Sequence, residues 1–241
     1  MLQTLGDYAC ACFRFEDRNA IIVFPKTTPN GHWALKTEYW TAFPETELML
    51  LERGFHIAYL ANESRFAPKR DCDAKARFVD YIAREYGLKD KCVPIGMSCG
   101  GAHAVRFAGY YPEKVACMYI DAPVLSYCDY PGKPGVDDLI PVWEDEFKVT
   151  YPGISRHQLL TFPHHPLNMT DTLIRNRTPV VMVYGTADTL VHHQENALLL
   201  EDAMAGLDFF LSIPVPGRGH HPHSIWGDNT PVVEFIEKYC K

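Results

Sequence analysis

The sequence predicts an α/β fold, a mostly parallel central sheet flanked by helices, and three observations carry the prediction. Short apolar, largely β-branched or aromatic runs recur at 20–24, 55–60, 92–95, 115–120 and 179–184. Segments of helical spacing lie between most of them, with short connections, and that alternation is what parallel strands with right-handed crossovers produce. The third observation is Val93-Pro94-Ile95-Gly96-Met97-Ser98-Cys99-Gly100-Gly101, where an apolar run enters a Gly-x-Ser-x-Gly turn and a helical pattern leaves it. With 241 residues, 47% of them hydrophobic, and no break in composition, a single domain over 1–241 is expected.

Residues 8–15 alternate loosely, and Glu16-Asp17-Arg18-Asn19 leads into Ala20-Ile21-Ile22-Val23-Phe24, so the chain opens with a hairpin feeding the sheet. Thr27, Thr28, Pro29, Asn30 and Gly31 spell a loop over 25–33, and a helix carrying Leu48, Leu50 and Leu51 follows, stopping at Gly54. Pro44 marks a kink in that helix or a late start. A strand at 55–60 comes next, and Ala74, Phe78, Ile82 and Tyr86, four apart, predict a helix over 71–86 closed by Gly87. The strand at 92–95 runs into the serine turn, Tyr111-Pro112-Glu113 ends the helix behind it, and the strand at 115–120 finishes at Asp121. From 123 to 178 the rhythm breaks in a stretch holding Tyr127, Tyr130, Trp143, Phe147, Tyr151 and Phe162. An insertion of that length predicts a functional lid or a few helices packed on the sheet edge. The strand at 179–184, closed by Gly185-Thr186-Ala187-Asp188, then a helix over 192–204, a strand over 209–214, a histidine cluster and a helix ending at Tyr239 complete the chain.

Composition excludes several classes of function. A net charge of −7 without a Lys/Arg run argues against nucleic acid as a partner. No apolar run reaches the length of a membrane span and residues 1–12 hold no charged leader with an apolar stretch behind it, so a cytoplasmic chain without membrane contact is expected. The eight cysteines, at 10, 12, 72, 92, 99, 117, 128 and 240, have the spacing of neither a zinc site nor a disulfide framework. Asn62-Glu63-Ser64 and Asn168-Met169-Thr170 match a glycosylation acceptor by chance, given that absence of a leader. A homo-oligomer is left open, and no cofactor is expected.

The chemistry concentrates at strand ends. Ser98 stands at a tight strand-to-helix turn, where free N–H groups and the helix dipole favour an anion. Such a turn can bind a phosphate, or it can present a nucleophile. A serine hydroxyl needs an imidazole to take its proton, and the imidazole needs a carboxylate to fix its tautomer. Asp188 directly follows an apolar strand, so it projects from the same sheet edge as Ser98; Asp121 also ends a strand and is the alternative acid, or a cap. His220, His221 and His223 are the candidate bases. The same cluster, joined by His192-His193 or His164-His165, could be read as a metal site, although its spacing matches no zinc motif.

Gly96-Met97-Ser98-Cys99-Gly100-Gly101, Tyr111-Pro112-Glu113-Lys114-Val115, Gly185-Thr186-Ala187-Asp188 and Gly217-Arg218-Gly219-His220 resemble, in order and spacing, the matching segments of the α/β-hydrolase superfamily over about residues 10–240. The resemblance is weakest in the insertion, which follows the sixth strand of that fold. It implies Ser98 as nucleophile, Asp188 as acid and His220 as base, with no metal, and the N–H of Cys99 as one oxyanion donor. The second donor in that family follows the third strand, often within a His-Gly pair. Here Pro25-Lys26 stands at the matching place and Pro25 has no N–H, so the donor is expected between Lys26 and Trp33. The resemblance extends to small microbial carboxylesterases, some of which remove acyl groups from sugars. It implies a serine esterase acting on a small-molecule ester, with an aryl-lined pocket suited to a feruloyl, acetyl or short acyl group. A large gating domain of the kind superfamily peptidases often carry does not fit this length, which favours esters over peptides. An amidase, thioesterase or small peptidase with the same triad, or a non-catalytic pseudo-hydrolase that binds a ligand, are the alternatives.

Overall fold

Every predicted strand finds a place in one eight-stranded sheet of order β1-β2-β4-β3-β5-β6-β7-β8. The computed structural model describes residues 3–128 and 141–241. The strands are β1 (Cys10–Phe15), β2 (Arg18–Val23), β3 (Trp33–Lys36), β4 (His56–Leu60), β5 (Val93–Met97), β6 (Met118–Asp121), β7 (Val180–Gly185) and β8 (Phe210–Val215). β1 and β2 are the antiparallel hairpin, β2 also runs antiparallel to β4, and all other neighbours are parallel. The sheet is therefore mixed with a parallel majority.

The helices are α1 (Glu45–Glu52), α2 (Lys69–Tyr86), α3 (Cys99–Tyr110), α4 (Pro141–Thr150), α5 (Arg156–Leu159), α6 (Thr170–Arg175), α7 (Ala197–Met204) and α8 (Thr230–Tyr239). α1 starts late, directly after Pro44, and α2 ends on Gly87 with φ 66°, the left-handed cap that glycine adopts without a Cβ penalty. Period-two alternation divides the strands between two cores. Ala20, Ile22, Val180 and Met182 face the side covered by α2, α3 and α7; Ile21, Val23, Val181 and Val183 face α1 and α8. Strands buried on both faces read as continuous apolar runs, which is why β4, β5 and β7 were legible from composition alone.

One strand was not. β3 spans the end of the stretch read as loop, at Trp33, and the start of what was expected to be helix, because it is four residues long and ends in Lys36. Lys36 is fully buried, and its ammonium is neutralised by Glu47 of α1 at 2.5 Å. A buried lysine is tolerated only with such a partner.

The segment 123–178 contains α4, α5 and α6. Of the aromatic residues predicted to line a pocket, Tyr130 and the side chain of Trp143 lie outside the described residues. Tyr127, Phe147 and Phe162 pack with Phe66 and the start of α3 into a third apolar cluster, edged by Tyr151. Among the described residues, no helix is long and apolar enough to cross a membrane.

Candidate active site

Ser98 is held between β5 and α3 with φ 54° and ψ −120°, a left-handed conformation that costs a non-glycine residue about 1–3 kcal/mol. Neither Gly96 nor Gly100 has a positive φ. Gly96 is required by close approach instead: a Cβ there would sit 2.2 Å from the Gly100 carbonyl oxygen. The turn is locked by its neighbours, since Ser98 N–H donates to the Asp121 carbonyl at 3.0 Å and the Ser98 carbonyl accepts from Gly101 and Val124, each at 2.9 Å. Strain at Ser98 is thus over-determined by β6 and the first turn of α3.

Asp188 follows β7, and His220 lies in the loop after β8. Ala187 N–H donates to the Arg218 carbonyl at 2.9 Å and Gly217 N–H to Thr186 Oγ1 at 3.0 Å, which fastens the two loops together. Gly185 permits this contact, because a Cβ on it would come within 2.2 Å of the Arg218 oxygen. The result is a continuous chain: Asp188 Oδ2 to His220 Nδ1 is 2.7 Å, and His220 Nε2 to Ser98 Oγ is 3.1 Å. A carboxylate only accepts, so the Nδ1 proton belongs to the Asp188 contact and Nε2 is left with the lone pair facing the serine hydroxyl. Asp188 Oδ1 accepts the N–H groups of Leu190 and Val191, both at 2.9 Å. Burial pushes the Asp188 carboxyl up, but the His220 contact and these two donors outweigh it and hold the carboxyl below its ordinary range.

Asp121, the alternative acid, faces elsewhere. Its carboxylate is fully buried, pairs with Arg218, and accepts from Ser224 N–H at 2.7 Å and Tyr119 at 3.2 Å. His223 Nδ1 lies 3.4 Å away. Burial raises the Asp121 carboxyl, and His223 and Arg218 more than reverse that. Asp121 therefore pins the histidine loop under the serine turn while Asp188 faces His220. Of the other histidines, His221 and His223 line the same cavity as Ser98; His221 stacks on Phe43 at 5.5 Å. Burial lowers both imidazoles below the ordinary value, so they are neutral near pH 7. His165 is absorbed into packing, its Nδ1 accepting from Tyr127 N–H and its Nε2 donating to the Leu159 carbonyl, and His193 stacks on Tyr184.

Cys99 opens α3, so its N–H lies at the positive end of the helix dipole, beside Ser98. Lys26 and Trp33 are placed elsewhere, and the expectation of a donor among them is corrected. β2 is antiparallel to β4, so its end lies at the opposite sheet edge from Ser98: Val23 is level with Ile57, and Ile57 with Ala34. Lys26 continues beyond that edge and pairs with Asp7 at 2.5 Å. Trp33 opens β3 and its indole N–H donates to the Lys89 carbonyl at 3.0 Å. With Ala34 level with Val93, Trp33 lies six residues short of Ser98, about 20 Å at the usual rise per residue. β3 runs parallel to β5 beside it, and continuing its register past Lys36–Ile95 brings Tyr39 level with Ser98. Thr37 N–H is already donated to the Ile95 carbonyl at 2.9 Å. Tyr39 has φ 52° and lines the cavity. Sequence reading missed these residues; the short Trp33-Ala34-Leu35 run between Gly31 and Glu38 was the available signal.

The cavity above Ser98 measures about 290 Å³. Tyr39, Ala42 and Phe43 from the segment after β3, with Met97, Leu190 and Arg65, form its walls. Among the described residues, its aromatic side chains Tyr39 and Phe43 come from that segment.

No family model matches the sequence, and no curated protein matches it. In structure the chain is similar to FphF, a fluorophosphonate-binding serine hydrolase of Staphylococcus aureus with substrate bound, at TM-score 0.69 and 14% identity, covering 99% of this chain and 100% of that one. It is similar to an esterase of Pyrococcus furiosus at TM-score 0.66 and 15% identity, covering 100% and 99%. A third similarity is to the acylaminoacyl peptidase of Pyrococcus horikoshii, at TM-score 0.71 and 13% identity, over 98% of this chain and 42% of that one. The chain likewise spans 35% of a Bacteroides ovatus structure related to dipeptidyl aminopeptidase IV. These matches, with the sheet order and the strand-to-helix serine turn, establish the α/β-hydrolase fold.

Proposed function

We propose, from an α/β-hydrolase fold carrying this site, that the chain is a serine hydrolase of the carboxylesterase type. The observation that carries the reading is the unbroken Asp188–His220–Ser98 chain, with contacts of 2.7 and 3.1 Å at a strained turn that forms part of the cavity wall. Ser98 Oγ attacks the ester carbonyl carbon as its proton passes to His220 Nε2, and Asp188 stabilises the imidazolium. The oxyanion is received by the N–H groups of Cys99 and Tyr39. His220 returns the proton to the departing alkoxide, leaving an acyl group on Ser98. Water, deprotonated by His220, then attacks the acyl carbon, and the acid leaves as Ser98 regains its proton. The small cavity, walled by Tyr39, Phe43 and Leu190, suits a short acyl or a single aryl group.

Amide or peptide cleavage by the same residues is the second reading, favoured by the likeness to the acylaminoacyl peptidase. A matched pair of p-nitrophenyl acetate and acetyl-p-nitroanilide distinguishes them. The ester reading expects a burst of nitrophenol and, after acid quench, an acetyl group mapped to Ser98. Absence of any acyl-protein with either compound overturns both readings.

A further inference from the structure

We infer that His220, His221 and His223 form a site for a borderline divalent cation such as Zn²⁺, and that its occupancy reversibly shuts off the nucleophile. The inference rests on the Ser98–His220 reading for its consequence, and on geometry alone for the site. One nitrogen from each of the three rings can be chosen so that all lie within 4.8 Å of one another. The ring centroids stand 4.6 to 5.1 Å apart, each pair near perpendicular. Zinc–imidazole bonds of about 2.0–2.1 Å in a tetrahedral site set nitrogen separations near 3.4 Å, so each ring has to close by less than about 1 Å. His221 faces solvent and can move furthest; the buried His220 and His223 rings supply the rest of the closure.

One of the three rings already has the carboxylate hydrogen bond that metal-bound histidines use, and a second has a carboxylate beside it. Asp188 accepts from His220 Nδ1 at 2.7 Å, which leaves Nε2 of that ring for a ligand; Asp121 stands 3.4 Å from His223 Nδ1, which has no hydrogen-bond partner among the described residues. Asp121 is itself held by Arg218 and Ser224 N–H, which anchors the His223 ring. A set of imidazole donors selects Zn²⁺, Cu²⁺ or Ni²⁺ over Mg²⁺ or Ca²⁺. The cavity that exposes Ser98 gives the ion its way in and leaves a coordination position for water.

The effect on catalysis follows from one lone pair. His220 Nε2 either accepts the Ser98 proton, across 3.1 Å, or binds the cation. A bound ion therefore leaves Ser98 protonated and blocks the ester carbonyl. Metal and substrate compete, and a chelator restores activity, the opposite sign from a metal-dependent hydrolase.

The test uses the full chain with Cys10→Ser and Cys12→Ser, because those two exposed thiols on β1 lie two residues apart and would bind the same metal. Calorimetry with Zn²⁺ and the visible spectrum with Co²⁺ read binding; the rate of fluorophosphonate labelling reads the nucleophile. One Zn²⁺ per chain is expected, with labelling slowed at least tenfold at saturation and restored by EDTA. His221→Ala and His223→Gln each weaken Zn²⁺ affinity by about tenfold or more, judged against each variant's own metal-free labelling rate, while His157→Ala, on the surface away from the cavity, does not. Labelling that proceeds at the same rate with and without Zn²⁺, acceleration by Zn²⁺, or binding unchanged in both histidine variants overturns the inference. If no labelling occurs even without metal while a single histidine-dependent Zn²⁺ still binds, the site stands and the serine-nucleophile reading falls.

Discussion

Asp188→Asn separates the two strand-end carboxylates. In the native site Asp188 Oδ1 accepts from Leu190 and Val191, and Oδ2 accepts from His220 Nδ1. An asparagine side chain has one oxygen for these two tasks. Two backbone donors hold that oxygen at the Oδ1 position, so the amide NH₂ turns toward His220 and Nδ1 has to accept. The imidazole proton then resides on Nε2, the atom facing Ser98 Oγ at 3.1 Å, which loses its capacity as base. The expected loss in kcat is about 10⁴-fold, or about 5.5 kcal/mol of transition-state stabilisation, with the geometry preserved. Asp121→Asn is the same isosteric change one strand away. It leaves the Asp188–His220–Ser98 chain intact and breaks the buried pair with Arg218, costing about 3–5 kcal/mol of stability and less than about tenfold in kcat. Turnover of p-nitrophenyl acetate and urea unfolding measure the two effects. If Asp188→Asn keeps kcat within tenfold of wild type, or Asp121→Asn loses as much, Asp188 is not the acid.

Three further outcomes follow from the same geometry. Glu47→Ala strands the Lys36 ammonium, which is wholly buried, and is expected to cost about 3–5 kcal/mol in urea unfolding, with much of the loss recovered in Lys36→Met/Glu47→Leu. Gly96→Ala places a methyl group 2.2 Å from the Gly100 oxygen and displaces the serine turn; a kcat loss greater than tenfold, with a fall in unfolding midpoint, is the expected reading. Stability is expected to fall as pH drops from about 7 to 5. Burial, assisted by Lys75, holds His103 well below its ordinary value, so it stays neutral in the fold while the unfolded chain takes up a proton below about pH 6.5. The unfolded state then binds more protons, and His103 alone contributes a slope of up to about 1.4 kcal/mol per pH unit, which His103→Gln removes. The carboxyls of Asp121 and Asp188, held low in the fold, act in a more acidic window, below about pH 4.

The residues that sequence located at the site share one property: each sits at the end of an apolar run long enough to recognise. Ser98 follows Val93–Met97, Asp188 comes three residues after Val180–Gly185, and His220 lies in the Gly-rich loop after β8. What sequence missed depends on contacts distant along the chain. Lys36 puts a charge at the end of β3 that hides the strand, and its ion pair with Glu47, eleven residues on, makes its burial tolerable. The direction of β2 is not written in Ala20-Ile21-Ile22-Val23, so Lys26 was sought at the wrong sheet edge. The aromatic residues of 123–178 carry no label for which way they face; most of those described fill their own cluster with Phe66, and Tyr39 and Phe43 take the place at the cavity.

Ser98 as the nucleophile is tested most directly by the site and rate of fluorophosphonate labelling in the wild type, Ser98→Ala and His220→Ala. One adduct per chain is expected, mapped to Ser98, absent in Ser98→Ala and slowed by at least about 10³-fold in His220→Ala, since the serine hydroxyl is a poor nucleophile without its base. Folded wild-type protein that takes up no label, or takes it up at a residue other than Ser98, contradicts it.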